Sequence, residues 1–186
     1  MTDQATDSLQ LLSVLLHYPD DQLLNRLDEV ASVADRSCRT EIKSAVSAFV
    51  DELKTFTLLQ VQENYTAAFD MNPSTTLNMT YHAYGDNEKR AAALAHLQHT
   101  YQQAGWQRTT GELPDYLPLM LEFLSICPCP QHTEPVWRCL QGMQPLVARL
   151  AEKAPIYAAL LQPLVDMAAE RRATADGGGP FPEANG

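Results

Sequence analysis

The amino-acid sequence predicts an all-α protein, a single helical bundle of about eight to ten helices followed by a disordered tail. Three observations support this prediction. Apolar residues recur at the three- and four-residue spacings of an amphipathic helix along most of the 186 residues. No segment shows the alternating apolar and polar pattern of a half-buried strand. A hydrophobic content of 45% in a chain of this length is enough for one sizeable core.

The first two helices are predicted from leucine-rich stripes. The first begins with Asp7 or Ser8 as its cap and stops at Tyr18-Pro19. The second begins at Asp20 or Asp21. The apolar positions at helical spacing in these two segments are Leu9, Leu12, Leu15, Leu16, Leu23, Leu24, Leu27 and Val30.

The third and fourth helices follow with the same periodicity. The third runs from about Thr40 to Leu53. The fourth ends near Asp70, because Pro73 disfavours its continuation. Their inward-facing residues are predicted to be Ile42, Val46, Phe49, Leu53, Leu58, Val61, Tyr65, Ala68 and Phe69.

The middle of the chain is less regular. Residues 71–85 have no clear period and are rich in Thr, Asn and Tyr, so we expect a loop or a short broken helix. Asp86 is the predicted cap of the next helix, which Gly105 ends at its C′ position. A loop then leads into another helix, with Asp115 as its predicted N-cap and Pro118 in its first turn.

The last third is punctuated by prolines. A helix capped by Thr133 is predicted, with Pro145 kinking or splitting it. Pro155 suits the first position of the final helix. Residues 176–186 are rich in Gly and Pro and are expected to be disordered, which leaves residues 1–175 as one domain.

Charge and composition exclude several function classes. The formal net charge of −10 argues against nucleic acid and anionic lipid as partners, since both require clustered Lys and Arg. No window approaches the length of apolar sequence that a membrane span needs, and the N-terminus lacks a basic region. We therefore expect a cytoplasmic protein with no direct membrane insertion. Its four cysteines are too few and too unevenly spaced for a disulfide framework.

Two stretches contain no Lys or Arg, residues 55–88 and residues 109–137. Carboxylates without internal counter-ions attract basic side chains from a partner. The alternative is that these acids only keep the protein soluble, and charge alone does not separate the two interpretations. The acids in the two stretches are Glu63, Asp70, Asp86, Glu88, Glu112, Asp115, Glu122 and Glu134.

Catalytic and metal sites have little support in the sequence. Cys127 and Cys129 have the spacing C-x-C rather than C-x₂-C and no second ligand pair, so we expect no metal. His96 and His99 lack a third ligand at matching spacing. Phosphate-binding glycine motifs and the serine nucleophile motif are absent. We therefore predict no catalytic residues.

Three blocks of sequence resemble the NarJ-type members of the TorD/DmsD class of redox-enzyme maturation chaperones. They are residues 63–70 (ENYTAAFD), 77–86 (LNMTYHAYGD) and 112–123 (ELPDYLPLMLEF). With the segment Leu11 to Asp20, the resemblance covers roughly residues 8 to 170. It implies an all-helical, TorD-like bundle. It also implies a cytoplasmic, non-catalytic chaperone for the catalytic subunit of a respiratory nitrate reductase.

The resemblance implies that the chaperone binds the N-terminal segment of that catalytic (alpha) subunit until its molybdenum cofactor is inserted, before membrane assembly. No cofactor is expected to bind stably, although a transient contact with molybdopterin guanine dinucleotide and with molybdenum-cofactor biosynthesis proteins is implied. We expect the acids to pair with basic side chains and the apolar residues to line a groove. The peptide-binding residues expected on this basis are Tyr65, Phe69, Asp70, His82, Tyr84, Gly85, Glu112, Pro114, Asp115, Tyr116, Leu117, Met120 and Glu122.

Alternatives remain at this point. The nearest is a sibling chaperone whose client is a twin-arginine-leader molybdoenzyme, such as a dimethyl sulfoxide or trimethylamine N-oxide reductase. From other classes, the candidates are a helical enzyme acting at the loop from His82 to Asp86 and a structural subunit of a stable complex. A structural subunit would expose one broad apolar patch rather than an acidic groove.

Overall fold

The computed structural model describes residues 4–107, 109 and 111–176, and it contains eleven α-helices in that part of the chain. The predicted disordered tail lies outside the described residues except for Asp176, which is the last residue of the final helix. In chain order the helices are α1 (Gln4–Leu16), α2 (Asp21–Asn25), α3 (Leu27–Ser37), α4 (Thr40–Leu53), α5 (Leu58–Tyr65), α6 (Met79–Tyr84), α7 (Glu88–Gln103), α8 (Leu117–Ile126), α9 (Pro130–Leu140), α10 (Gln144–Lys153) and α11 (Pro155–Asp176).

An antiparallel pair, α1 and α8, forms the centre of the bundle. Leu12 and Leu16 of α1 and Met120 and Leu121 of α8 have no exposed surface. The Ser13 hydroxyl, also buried, donates to the carbonyl of Pro118 over 2.7 Å and ties the two helices together. Burying polar groups is tolerated when they are hydrogen-bonded in this way.

The start of α1 differs from the prediction, which placed a cap at Asp7 or Ser8. The helix begins at Gln4, and the Ser8 hydroxyl donates back to the Gln4 carbonyl over 2.6 Å. Ser8 is therefore an interior helical residue whose side chain is satisfied within the preceding turn.

The second predicted helix is divided into α2 and α3, which is one reason the count exceeds eight to ten. Asp20 caps α2 as predicted, and its carboxylate accepts from the Leu23 amide over 2.9 Å. Arg26, at φ −113° and ψ 12°, interrupts the helical backbone. Leu23 and Leu24 are only partly buried, whereas Leu27 and Val30 belong to the core.

The remaining helices surround this centre. Helix α4 has the predicted bounds, and its four predicted inward residues are all buried. It packs between α3 and α11, and α10 packs on α11. Aromatic rings fill the space between layers; Phe49 of α4, for example, meets Tyr157 of α11 edge to face at 5.4 Å.

Two other predicted caps are wrong. Asn87 caps α7 by accepting from the Lys89 amide, and Asp86 instead pairs with Arg90 at 3.4 Å. Helix α9 begins at Pro130, so Thr133 lies inside it and is buried. The residue next to Asp86 caps α7, and α9 begins three residues before Thr133.

The predicted roles of the prolines and of Gly105 are confirmed. Pro118, Pro145 and Pro155 lie in the first turns of α8, α10 and α11, and the break between α9 and α10 splits the predicted helix just before Pro145. Gly105, at φ 71°, follows α7 in the left-handed conformation that glycine favours.

The all-α fold class is confirmed. Within the described residues there is no β-strand, only an isolated antiparallel bridge between Asn78 and Tyr116. No described helix has the length and apolar character required to cross a membrane. All four cysteines are free thiols.

Candidate functional site

A cavity of about 260 Å³ lies where the C-terminal end of α1 meets the end of α5 and the loops before α6 and α8. We call it the acidic pocket. No lysine or arginine is among the described residues that line it, whereas two carboxylates are. Its lining residues are Tyr18, Tyr65, Phe69, Asp70, Thr76, Leu77, Asn78, Glu112 and Tyr116.

The predicted fourth helix ends as expected at Asp70, but its last turn is a π-helix, Thr66–Asp70. The Met71 amide donates to the Thr66 carbonyl over 3.1 Å, which is the five-residue spacing of that helix type. The wider turn buries Phe69 while Asp70 remains exposed at the edge of the pocket. Such π-turns inside helices are frequent at functional sites.

Two tyrosine hydroxyl groups form the inner wall of the pocket. The Tyr65 hydroxyl donates to the Leu16 carbonyl over 2.9 Å and lies 3.0 Å from the Tyr116 hydroxyl. Since the Tyr65 hydroxyl uses its hydrogen in the bond to the Leu16 carbonyl, the Tyr116 hydroxyl donates to the Tyr65 oxygen. Burial raises the pKa of both tyrosines above the ordinary value. Both are therefore neutral at physiological pH, and the negative charge of the pocket comes from its carboxylates.

The two carboxylates of the pocket, Asp70 and Glu112, are both exposed to solvent. Partial burial raises the pKa of Asp70, because the ionised form loses some of its hydration. An arriving cation would restore that lost stabilisation. The pocket is thus better suited to a basic side chain than to an anion.

Asp115 behaves differently from its prediction. It is wholly buried and does not cap α8, whose N-cap is Tyr116 without a side-chain bond. Its Oδ2 instead accepts from the Thr80 amide over 3.1 Å and from the Thr80 hydroxyl over 2.5 Å. Asp115 therefore caps α6, whose own N-cap residue, Asn78, makes no such bond.

Further contacts fix Asp115 and its neighbours. The Arg90 guanidinium lies 3.9 Å from Oδ2 of Asp115, and its side chain is only 18% exposed. The Met79 amide donates to the Asp115 carbonyl over 2.9 Å, and the Leu117 amide donates to the Leu77 carbonyl over the same distance. These bonds hold the loop that contributes Leu77 and Asn78 to the acidic pocket.

Several of the apolar residues expected to line a groove are core residues. Leu117 and Met120 have no exposed surface, and Pro114 is buried. Their apolar character serves the packing of α8 against α1. Tyr65 and Phe69 are also almost fully buried, but both line the acidic pocket.

The remaining predicted residues lie outside the acidic pocket. His82 has Nε2 2.8 Å from the carbonyl of Thr76, a pocket residue, so its contribution there is indirect. Tyr84 is 40% exposed at the end of α6, and Gly85 follows at φ 58° as the C-cap. Glu122 is exposed on α8.

The sequence interpretation missed Tyr18 and His17. Tyr18 is 53% exposed and meets Tyr65 edge to face at 5.4 Å. His17 meets Tyr116 at 5.9 Å, and burial lowers its pKa, although Glu122 and Glu112 oppose that shift. The signal in the sequence is an aromatic residue directly before Pro19, a pair that also predicts the stop of the first helix.

Comparisons with known proteins agree with this description. Residues 35–149 match the family model described as "Nitrate reductase delta subunit". The chain is 32% identical to a probable nitrate reductase molybdenum cofactor assembly chaperone NarJ of Bacillus subtilis, over 83% of this chain and 84% of that protein. It is 33% identical to the corresponding NarJ chaperone of Escherichia coli K12, over 86% and 69% of the two chains. Both relatives are named as chaperones, not as catalysts.

The fold is shared with a solved structure. A crystal structure of a putative redox enzyme maturation protein from Archaeoglobus fulgidus superimposes with a TM-score of 0.59 and covers 92% of this chain and 93% of that one, at 21% identity. This likeness supports the fold alone. The family match over more than half of the sequence, with relatives above 30% identity over most of their length, shows that the chain belongs to the nitrate reductase delta subunit family.

Proposed function

We propose that this protein is an assembly chaperone for a nitrate reductase and that the acidic pocket binds the N-terminal segment of the catalytic subunit. The observation that carries the proposal is the pairing of two exposed carboxylates with an aromatic wall in a pocket where no described lining residue is basic. The names of the relatives support the chaperone role and the nitrate reductase client.

Recognition would combine charge and ring contacts. Basic side chains of the client would pair with Asp70 and Glu112, and partial desolvation strengthens such pairs relative to fully exposed ones. The exposed ring of Tyr18 offers a face for a cation at the mouth of the pocket. The neutral hydroxyl groups of Tyr65 and Tyr116 would provide hydrogen bonds at its base.

The binding event would control timing. While its N-terminal segment is held, the client cannot use that segment to dock on its membrane partner, so cofactor insertion comes first. The molybdopterin guanine dinucleotide is cargo of the client, and this chain would meet it, and the proteins that make it, only transiently. In this proposal the chaperone residues only bind and release the client reversibly.

Isothermal titration calorimetry tests the proposal. The titrant is a synthetic peptide of roughly fifteen residues, about 50 Å when extended, copied from the N-terminus of the nitrate reductase catalytic subunit of the same genome. We expect binding that weakens with added salt, because exposed charge pairs are screened. In the double variant Asp70→Asn/Glu112→Gln, affinity should fall by about tenfold to a hundredfold.

A matched control separates the pocket from net charge. Asp51→Asn/Glu52→Gln removes the same two charges from exposed positions on α4 that line none of the cavities described. It should leave affinity within about twofold. Equal losses in both double variants would refute the acidic pocket as the site. No binding to wild type would refute the client, and leaders of twin-arginine molybdoenzymes would then be titrated.

A further inference from the structure

Two cysteines lie in the connection between α8 and α9. Helix α8 ends at Ile126 and α9 begins at Pro130. Cys127, Pro128 and Cys129 therefore belong to neither helix. Both thiols are free and partly exposed to solvent. Neither lines the acidic pocket, because the ten residues of α8, about 15 Å of helix, separate the pair from that end of the bundle.

The backbone holds the two cysteines within bonding range of each other. Each precedes a proline, which favours extended backbone, and ψ is 112° at both Cys127 and Cys129. The ring of Pro128 keeps φ near −65°, short of full extension, so the two Cα atoms lie no more than about 6.6 Å apart. A disulfide spans Cα separations of about 4.4 to 6.8 Å. The Cys127 Sγ atom also lies 4.0 Å from the Cys129 carbonyl oxygen, so this thiol is directed toward its neighbour.

A bond between the two sulfur atoms would leave the ends of both helices intact. The Cys127 amide donates to the Phe123 carbonyl over 2.9 Å and completes the last turn of α8. The Cys129 carbonyl accepts from the amides of His132 and Thr133, both at 3.1 Å, in the first turn of α9. These bonds use backbone atoms only, whereas a disulfide uses side-chain sulfur. Bringing the sulfur atoms together therefore requires movement only in a short segment outside both helices.

The other two cysteines have different environments. Cys38 is a buried core residue, and burial raises the pKa of its thiol. Cys139 is partly exposed on α9, but burial of its thiol raises the pKa to about 11. The thiolate is the form that attacks a disulfide, so neither of these two is a ready nucleophile at neutral pH. Each also lacks a second cysteine beside it in the chain.

We propose that Cys127 and Cys129 are a redox site that forms a reversible intramolecular disulfide by exchange with a small disulfide, oxidised glutathione. The thiolate of one cysteine attacks the oxidant, forms a mixed disulfide and releases one glutathione thiolate, which takes up the proton. The second cysteine attacks the mixed disulfide and releases the other glutathione in the same way. Two electrons pass from the cysteine pair to the oxidant. The disulfide protects both sulfur atoms from irreversible oxidation, because a reduced thiol reverses it.

Mass spectrometry of tryptic peptides tests the proposal on the full chain. Residues 109–137 contain no Lys or Arg, so cleavage after Arg108 and Arg138 leaves the pair in one peptide, 109–138, without any other cysteine. The folded protein is equilibrated with glutathione of increasing oxidised fraction, quenched with acid, alkylated in denaturant and digested. We expect peptide 109–138 to lose the mass of two hydrogen atoms and to take up no alkylating agent. Where half of this peptide is oxidised, Cys38 and Cys139 should still be alkylated.

Single variants separate the internal disulfide from a simple glutathione adduct. In Cys127→Ser and in Cys129→Ser the remaining thiol has no neighbour to complete the exchange, so glutathione should stay attached to it. Cys139→Ser is the matched control and should reproduce the wild-type oxidation curve.

Two outcomes would refute the redox site. In one, the wild-type peptide 109–138 is alkylated at both cysteines throughout the titration. In the other, it carries glutathione at either cysteine and never loses two hydrogen atoms. The measurement uses no client, so its result does not depend on the proposed function.

Discussion

Glu112 and Asp115 lie three residues apart in the loop before α8 and have opposite environments. Asp115 has no exposed surface and is bonded to Thr80 and close to Arg90, whereas Glu112 is exposed at the edge of the acidic pocket beside Asp70. The buried carboxylate organises the loop and the start of α6. The exposed carboxylates lie at the surface of the acidic pocket.

This difference changes how the acidic character of the chain should be interpreted. Burying a carboxylate costs free energy unless polar contacts compensate for it. Asp115 accepts two hydrogen bonds from Thr80 and lies 3.9 Å from the Arg90 guanidinium. Its Oδ1 has no hydrogen-bond partner among the described residues. Asp115 is thus a structural residue that positions the acidic pocket. The following predictions test that division of roles.

The largest expected effect is that of Asp115→Ala. It removes the cap of α6 and leaves Arg90 with less compensation, so the free energy of unfolding should fall by about 2 to 4 kcal/mol. Urea denaturation followed by circular dichroism measures it. Asp86→Ala removes the exposed partner of the same arginine and should cost less than about 1 kcal/mol. Equal midpoints for wild type and Asp115→Ala would contradict the structural role.

Tyr65→Phe should have the next largest effect. It removes the hydroxyl that donates to the Leu16 carbonyl and accepts from Tyr116, so stability should fall by about 1 to 2 kcal/mol. The ring contacts with Phe69 and Tyr157 are retained. Thermal unfolding measures this change, and Tyr84→Phe, at an exposed hydroxyl on α6, serves as the control. If both variants unfold at the wild-type temperature, the tyrosine pair does not stabilise the pocket.

The two roles of these carboxylates also show what sequence can predict. The helix predicted from about Thr40 to Leu53 is confirmed as Thr40–Leu53, because a strong apolar period specifies a helix from neighbouring positions alone. Asp115 satisfied the local rule for an N-cap equally well. Its actual partner, Thr80, lies 35 residues earlier, and no local pattern reveals that contact.

The acidic pocket was predictable only in part, because some of its residues belong to recognisable sequence blocks and others meet only in the folded chain. Asp70, Glu112 and Tyr116 belong to blocks that resemble a known family, and the fold brings them to one cavity. Leu117 and Met120 are in the same block, but the helical period that made them candidates is the period of core packing. Tyr18 was missed because its role depends on where α1 ends relative to α5, which is tertiary information.

His82 should contribute a pH-dependent effect of smaller size. Burial lowers its pKa, although the hydrogen bond that Nε2 donates to the Thr76 carbonyl opposes this shift. Because the folded protein favours the neutral form, stability is complete above the unfolded pKa of about 6.5 and falls as the pH drops below that value. His17, whose pKa is also lowered by burial, acts in the same direction.

Melting temperatures measured from about pH 7.5 to about pH 5.5 check this effect. In His82→Gln the decrease toward acidic pH should be shallower, and His17 contributes to the slope that remains. His99→Gln, at an exposed position of α7, should reproduce the wild-type slope. A wild-type slope in His82→Gln would show that burial of His82 does not contribute to the pH dependence of stability.

The smallest expected change is an increase in stability. Partial burial raises the pKa of Asp70, so its ionised form is disfavoured by folding at neutral pH and this cost disappears as the pH falls through the raised pKa. Asp70→Asn should therefore unfold at a slightly higher urea concentration, by less than about 0.5 kcal/mol, while Asp115→Asn unfolds earlier. A stable Asp70→Asn that loses client binding would identify Asp70 as a residue kept for recognition at a cost to the fold. If Asp70→Asn were as destabilised as Asp115→Asn, both carboxylates would be structural, and the distinction between a structural Asp115 and a recognition residue Asp70 would be refuted.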